Sequence, residues 1–137
     1  MDLYTGTMTL TLDESEKALD LMVQALPPEI FQDLNGGVLL KEEAKLHPRR
    51  LADDLYILGE YYRDPIFGRY VVIYHGSLCR VLGQASPQRF REELEKVLKH
   101  ELTHHLEHRA GERDLEIEDE RQLIHYYASH PLGEGQV

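Results

Sequence analysis

The feature that most limits the folds open to this chain is the segment from Ser86 to Gly111, which reads as one long helix. Ser86 is a good N-cap, Pro87 fits the first helical position, and Gly111 is the residue a helix commonly ends on. At 100° per residue from His100, Leu94, Leu98, Leu102 and Leu106 fall between about 120° and 240°. His100 and His104 fall at about 0° and 40°, away from the middle of that stripe. The helix therefore has two duties: one side packs a core and a different side presents histidines.

Those histidines belong to His100-Glu101-Leu102-Thr103-His104, an HExxH string. Residues four apart on a helix stack one turn above the other, so two imidazoles can close on one Zn²⁺ at about 2.0–2.1 Å each. Glu101 lies about 100° round from His100, where it reaches a metal-activated water without being a ligand. Hydrolytic zinc chemistry needs this division of labour, with the metal acidifying the water and a carboxylate taking its proton. The plainer alternative is a surface helix with extra solvated histidines.

Two histidines hold zinc weakly, so a third ligand is expected. Gly111 lies seven residues past His104, about 10 Å further along the axis. A chain reversing there and running extended returns about 10 Å in three residues, which brings Asp114 level with the histidines and makes it the first choice. Glu118 or Asp119 follow from the next segment. Glu107, on the metal face at about −20°, is a further candidate because helical side chains lean toward the N-terminus. His105 faces the core side and is expected to be a hydrogen-bonded structural residue, and His108 a neighbour of the site. His47, His75, His125 and His130 have no metal-ligand spacing. Tyr126 and Tyr127 are expected to pack in the core, against an alternative in which one hydrogen-bonds the metal water or an oxyanion.

A chain of 137 residues, 42% hydrophobic and 29% charged, suits a single globular domain spanning 1–137. Its net charge of −10 argues against nucleic acid or an anionic membrane surface as partner. From Glu101 to Val137 there are nine acidic and three basic residues, which serves a cation or simply a solvated face. Cys79 is the only cysteine, so no intrachain disulfide forms and any zinc site must use His and carboxylate; its own role is a small buried apolar residue. No secretion signal or membrane-length apolar run occurs, so the expected compartment is the cytoplasm. A homodimer is compatible with so small a domain.

Residues 1–10 and 131–137 read as irregular tails. Asp13 to Leu26 shows helical spacing at Leu19, Met22, Val23 and Leu26, with Thr11 or Asp13 as N-cap. Pro28 opens a short second helix through Leu34, and Asn35-Gly36-Gly37 breaks it. Val38–Leu40 is a brief strand, 41–53 mostly loop, and Leu55–Tyr62 a strand. The turn 63–68 leads into Tyr70–Tyr74, whose unbroken apolar run predicts a central strand with both faces covered. His75-Gly76-Ser77 is expected to end that strand, and 78–85 carries no clear pattern.

The run HELTHHLEHRAGERDLEIEDE, with DLYILGEYYRDPIFGRYVVIYHGS and PPEIFQDLNGGV upstream, resembles the small bacterial zincin-like metallopeptidases, the minimal metalloprotease-like domains. The resemblance covers most of the chain and implies an α+β fold, a small mostly antiparallel sheet packed against the HExxH helix and further helices. It implies zinc held by His100 and His104, with Glu101 as base. The short form of the motif, HExxHxxGxxD, is departed from: Glu107 stands where the Gly would be and Ala110 where the Asp would be. A Gly-x-x-Asp occurs one turn later, as Gly111 and Asp114. The expected activity is zinc-dependent hydrolysis of a peptide or protein substrate. The competing expectation is a metal-binding or protein-interaction domain that keeps the scaffold without useful turnover.

Overall fold

The computed structural model describes residues 10–111 and 114–130, with only the backbone over 114–118. The expected tails, apart from Leu10, lie outside the described residues. The order is α1 (Leu12–Ala25), a 3-10 turn (Pro28–Phe31), β1 (Gly37–Lys41), β2 (Lys45–Leu46), β3 (Tyr56–Ile57), β4 (Gly59–Asp64), β5 (Gly68–Tyr74), α2 (His75–Leu82), α3 (Pro87–Ala110) and α4 (Asp114–Ala128). The fold is α+β. Its main sheet runs β1-β5-β4, with β1 parallel and β4 antiparallel to β5, and β2 and β3 form a separate antiparallel ribbon.

Local chemistry sets the ends of the helices. Thr11 accepts from the Glu14 backbone N–H while the Glu14 carboxylate accepts from that of Thr11, a reciprocal capping box at the start of α1. Ser86 caps α3 in the same manner through the Arg89 N–H, and Gly111 closes it in the left-handed conformation at φ 80°. The interior strand is β5: Val71, Val72 and Ile73 are fully buried. Val71 and Ile73 join Phe90, Leu94, Val97, Leu98 and Leu102 of α3 in one core, which also takes Leu10, Ala18, Leu19, Leu34 and Leu78.

Three expectations need correction. The segment 55–62 is not one strand: Tyr56 and Ile57 pair with β2, and from Gly59 the chain pairs with β5, changing sheets at Leu58. His75 to Leu82, read partly as a stop and partly as patternless, is α2, which begins directly after β5 with no side-chain cap and so carries no start signal. Leu106 is 39% exposed. The buried α3 residues, from Val97 to Leu102, occupy an arc from about 60° to 200° on the scale above, so Leu106 at about 240° falls off its edge. Glu101, at about 100°, falls inside it.

His105 confirms the structural role expected of it. It is fully buried, its Nε2 donates to the Gln32 carbonyl at 2.8 Å, and its Nδ1 accepts from the Tyr61 hydroxyl at 2.8 Å. Both ring nitrogens are satisfied in the neutral form, and burial holds the imidazole below its usual pKa. No described helix is long and apolar enough to cross a membrane.

Because the folded-state pKa of His105 lies below that of the unfolded chain, its contribution is complete above pH about 6.5 and declines as the pH falls below it. His105→Gln should lower the unfolding free energy by about 1–3 kcal/mol at pH 8. The gap to wild type should narrow toward pH 5, measured by urea unfolding with a chelator present; a constant gap would contradict the neutral assignment.

Candidate metal centre

The site forms where α3, α4 and β4 meet. His100 and His104 project from one side of α3 with ring centroids 5.1 Å apart and planes nearly perpendicular. Their Nε2 atoms converge on one carboxylate, that of Asp119 in α4. His104 Nε2 lies 2.9 Å from Oδ2 and His100 Nε2 lies 3.3 Å from Oδ1. One donor atom from each residue falls within 4.8 Å of the others, and among the described residues this is the group so arranged. Tetrahedral ligands at about 2.0–2.1 Å from an ion stand roughly 3.3 Å apart, so the set fits a divalent cation without large movement. Two neutral nitrogens and a carboxylate are also a donor set that suits zinc chemistry.

Asp119 is the later alternative to Asp114 on sequence grounds. Asp114 is the first residue of α4; its side chain, like that of Glu118, lies outside the described residues. From Asp114 onward the chain is helical. At about 1.5 Å per residue, Asp119 stands about 7.5 Å along α4 from Asp114. Glu107 sits beside His104 in the same depression and is not part of the converging group.

Electrostatics bind the three together. Burial alone would raise the Asp119 carboxyl, but hydrogen bonds from His100 and His104 outweigh it and hold the group well below the usual carboxylate range. The same hydrogen bond, donated to Asp119, raises the His100 imidazole against the effect of its own burial.

Glu101 is 6% exposed, and burial pushes its carboxyl up to about 7. It can occupy the core arc beside the ligands because β4 approaches α3 through Gly59. A Cβ at Gly59 would stand 2.8 Å from Val97 Cγ1 and 3.1 Å from Glu101 Cγ. A glycine opposite the HExxH helix was the signal for this contact, and only the fold shows what it touches.

Elements outside the motif fix α4. Tyr126 donates to Asp54 Oδ1 at 2.8 Å and accepts from the Leu51 N–H at 2.9 Å; Tyr127 donates to the Arg49 carbonyl. His130 Nε2 meets Asp54 Oδ2 at 2.6 Å, and Arg49 lies 3.6 Å from Glu120. The tyrosine hydroxyls are thus committed to the 49–54 segment rather than to a metal water. Sequence reasoning missed Asp54, whose partners are more than 70 residues away.

Two depressions open on either side of the centre. One, of about 660 Å³, is lined by Tyr61, Arg63, His104, Glu107 and His108; the other, of about 540 Å³, by a mixed set that includes His47, Ile57, Glu93, Lys96, His100 and Leu123. Gly59, Glu60, Glu101 and Asp119 line both, so they are halves of one trough. His108 accepts from Arg63 at 2.9 Å through Nδ1, in keeping with a place beside the site.

No family model matches the chain, and no curated protein matches it either. Among solved structures, the chain is similar to a conserved hypothetical protein from Thermus thermophilus. The TM-score is 0.62 at 27% identity, over 74% of this chain and 98% of that one. The α+β arrangement is thus one that a solved protein of nearly this core's extent also adopts.

Proposed function

We propose that this protein is a zinc-dependent peptide hydrolase whose ligands are His100, His104 and Asp119. The observation that carries the reading is the convergence of two HExxH imidazoles and one carboxylate beside a buried, open-trough Glu101. The zincin-like resemblance of the motif points the same way. Zinc held there would supply a Lewis acid for the scissile carbonyl and make water nucleophilic near neutral pH. Glu101 takes the proton of the attacking water on its carboxylate and returns it to the departing amine nitrogen. A carboxyl poised near neutrality is suited to both transfers, and a neighbouring cation draws it toward the ionised form needed first.

The sheet offers a way to align the substrate. Leu58 accepts from the Tyr74 N–H at 2.9 Å, which makes Leu58–Tyr74 a hydrogen-bonded pair. Antiparallel pairs alternate, so Glu60, Tyr62 and Asp64 also bond to β5, while the backbone groups of Gly59, Tyr61 and Arg63 turn to the outer edge. An extended peptide can add there. The strand Tyr70–Tyr74 is interior to the sheet and has no edge to offer.

Asp119→Ala should lower zinc affinity by more than about 100-fold, since even changing a residue behind a ligand costs 10–100-fold. Asp114→Ala should leave it unchanged; competition with a chromophoric chelator reads both, and the reverse result would reassign the third ligand. Glu101→Gln should keep zinc and lose peptide hydrolysis by about 10²–10⁴-fold. Equal activity in wild type and Glu101→Gln, or none in zinc-loaded wild type, would favour a metal-binding scaffold without turnover.

A further inference from the structure

A further depression, of about 580 Å³, opens off one end of the trough, since Arg63 and His108 line both. Two of the groups around it sit in an arrangement that costs the fold stability. Arg63 of β4 stands directly opposite Arg69 of β5, and the alternation along β4 makes them a non-hydrogen-bonded pair, where facing side chains come closest. Both lie on the α3 side of the sheet. Arg69 is two residues from Val71, which packs in the core with α3, and Arg63 donates to His108 Nδ1 of that helix at 2.9 Å. Like charges set opposite each other on one face are destabilising. Among the described residues neither guanidinium has a carboxylate as ion-pair partner.

The acids in the same lining are engaged elsewhere. Asp33 is paired with Arg109 at 3.6 Å, and Asp64 Oδ1 accepts from the backbone N–H groups of Ile66 and Phe67. Three guanidiniums against two carboxylates leave this corner positive on a chain whose net charge is −10. Two arginines held face to face without a counter-charge suit a carboxylate, which planar guanidiniums bind through paired N–H groups.

The direction of β4 sets where on a peptide that carboxylate sits. Gly59 packs against Glu101, so Arg63, four residues on, lies about 13 Å further along the strand. A peptide added to the outer edge in the more stable antiparallel sense runs opposite to β4, so the residues over Arg63 precede the cleaved bond. Resting on the peptide-hydrolase reading and going beyond it, we propose that Arg63 and Arg69 select peptides carrying an aspartate or glutamate three or four residues before the cleaved bond. The side-chain carboxylate supplies the counter-charge that the two strands lack.

Peptidyl hydroxamates, whose residues precede a zinc-anchored hydroxamate, test the position without turnover. With glutamate third or fourth from the anchor, binding to zinc-loaded protein should be about 5–20-fold tighter than with glutamine there, read by calorimetry at low salt. The gap should shrink in about 0.5 M chloride. Arg69→Met should remove most of it while leaving the urea midpoint of the free protein unchanged or higher, and Arg69→Glu should turn the preference toward lysine. Equal affinities, or a gap that survives when Arg63→Met and Arg69→Met are combined, would overturn the proposal. So would succinyl hydroxamates that bind more tightly with a free terminal carboxylate than as amides and lose that preference in Arg69→Met, since the pair would then serve a chain terminus. A metal-free measurement separates this site from the hydrolase reading. An acetylated, amidated peptide with one glutamate should shift the Arg63 and Arg69 Nε–H resonances of labelled protein, and its glutamine analogue should not. Those shifts with no cleavage of the same peptide by zinc-loaded protein would remove the hydrolase reading while upholding the site; cleavage with no shift would do the reverse.

Discussion

One carboxylate meeting two imidazoles from a different helix is the contact on which the candidate site depends. His100 and His104 are set by the rigid repeat of α3 and need nothing else to face the same way. Asp119 has no such guarantee, because it stands on α4, across a chain reversal. What keeps it there is a group of polar contacts at the far end of α4, where Tyr126, Tyr127 and His130 all engage the 49–54 segment. Each such hydrogen bond is worth only about 0.5–1.5 kcal/mol, but three on one helix end leave little freedom for a residue two turns away.

The position of Glu101 follows from the same helix geometry. The buried arc of α3 ends at about 60°, and the two histidines lie just outside it at about 0° and 40°. Glu101 at about 100° is therefore inside the core arc while its neighbours in sequence are at the rim. A carboxylate there would collide with the sheet if β4 carried a side chain opposite it, and Gly59 removes that side chain. The perturbed carboxyl and the accessible ligands are thus two consequences of one rotation of the helix, made compatible by one glycine on the strand.

How much of this was legible in the sequence depended on whether the signal was local. The limits of α3 could be read to the residue because Ser86, Pro87 and Gly111 act within a turn of where they stand. The interior placement of β5 was readable from Tyr70–Tyr74, and the structural role of His105 from its angle on the helix. The α2 helix was illegible because it follows a strand without a cap and opens on His75-Gly76-Ser77, a turn-like string. The division at Leu58 was illegible because both strands share one continuous apolar pattern and only their partners differ. Asp119 joins the two imidazoles through the register of α4, and which residue of a returning segment lies level with them depends on whether that segment is extended or helical, which spacing alone does not give.

Placing one ligand on α4 also joins two equilibria that would otherwise be separate. With the third donor on α3 itself, or on the sheet, an ion would bind to a site already fixed by the core. Here the ion would tie α3 to α4, so its binding free energy is in part helix-docking free energy. Any change that loosens Tyr126 or Asp54 from its partner then weakens metal affinity although neither residue faces the ion. The trough has the same dependence, since Leu123 of α4 lines it one helical turn beyond Asp119, and the contacts that orient the one orient the other.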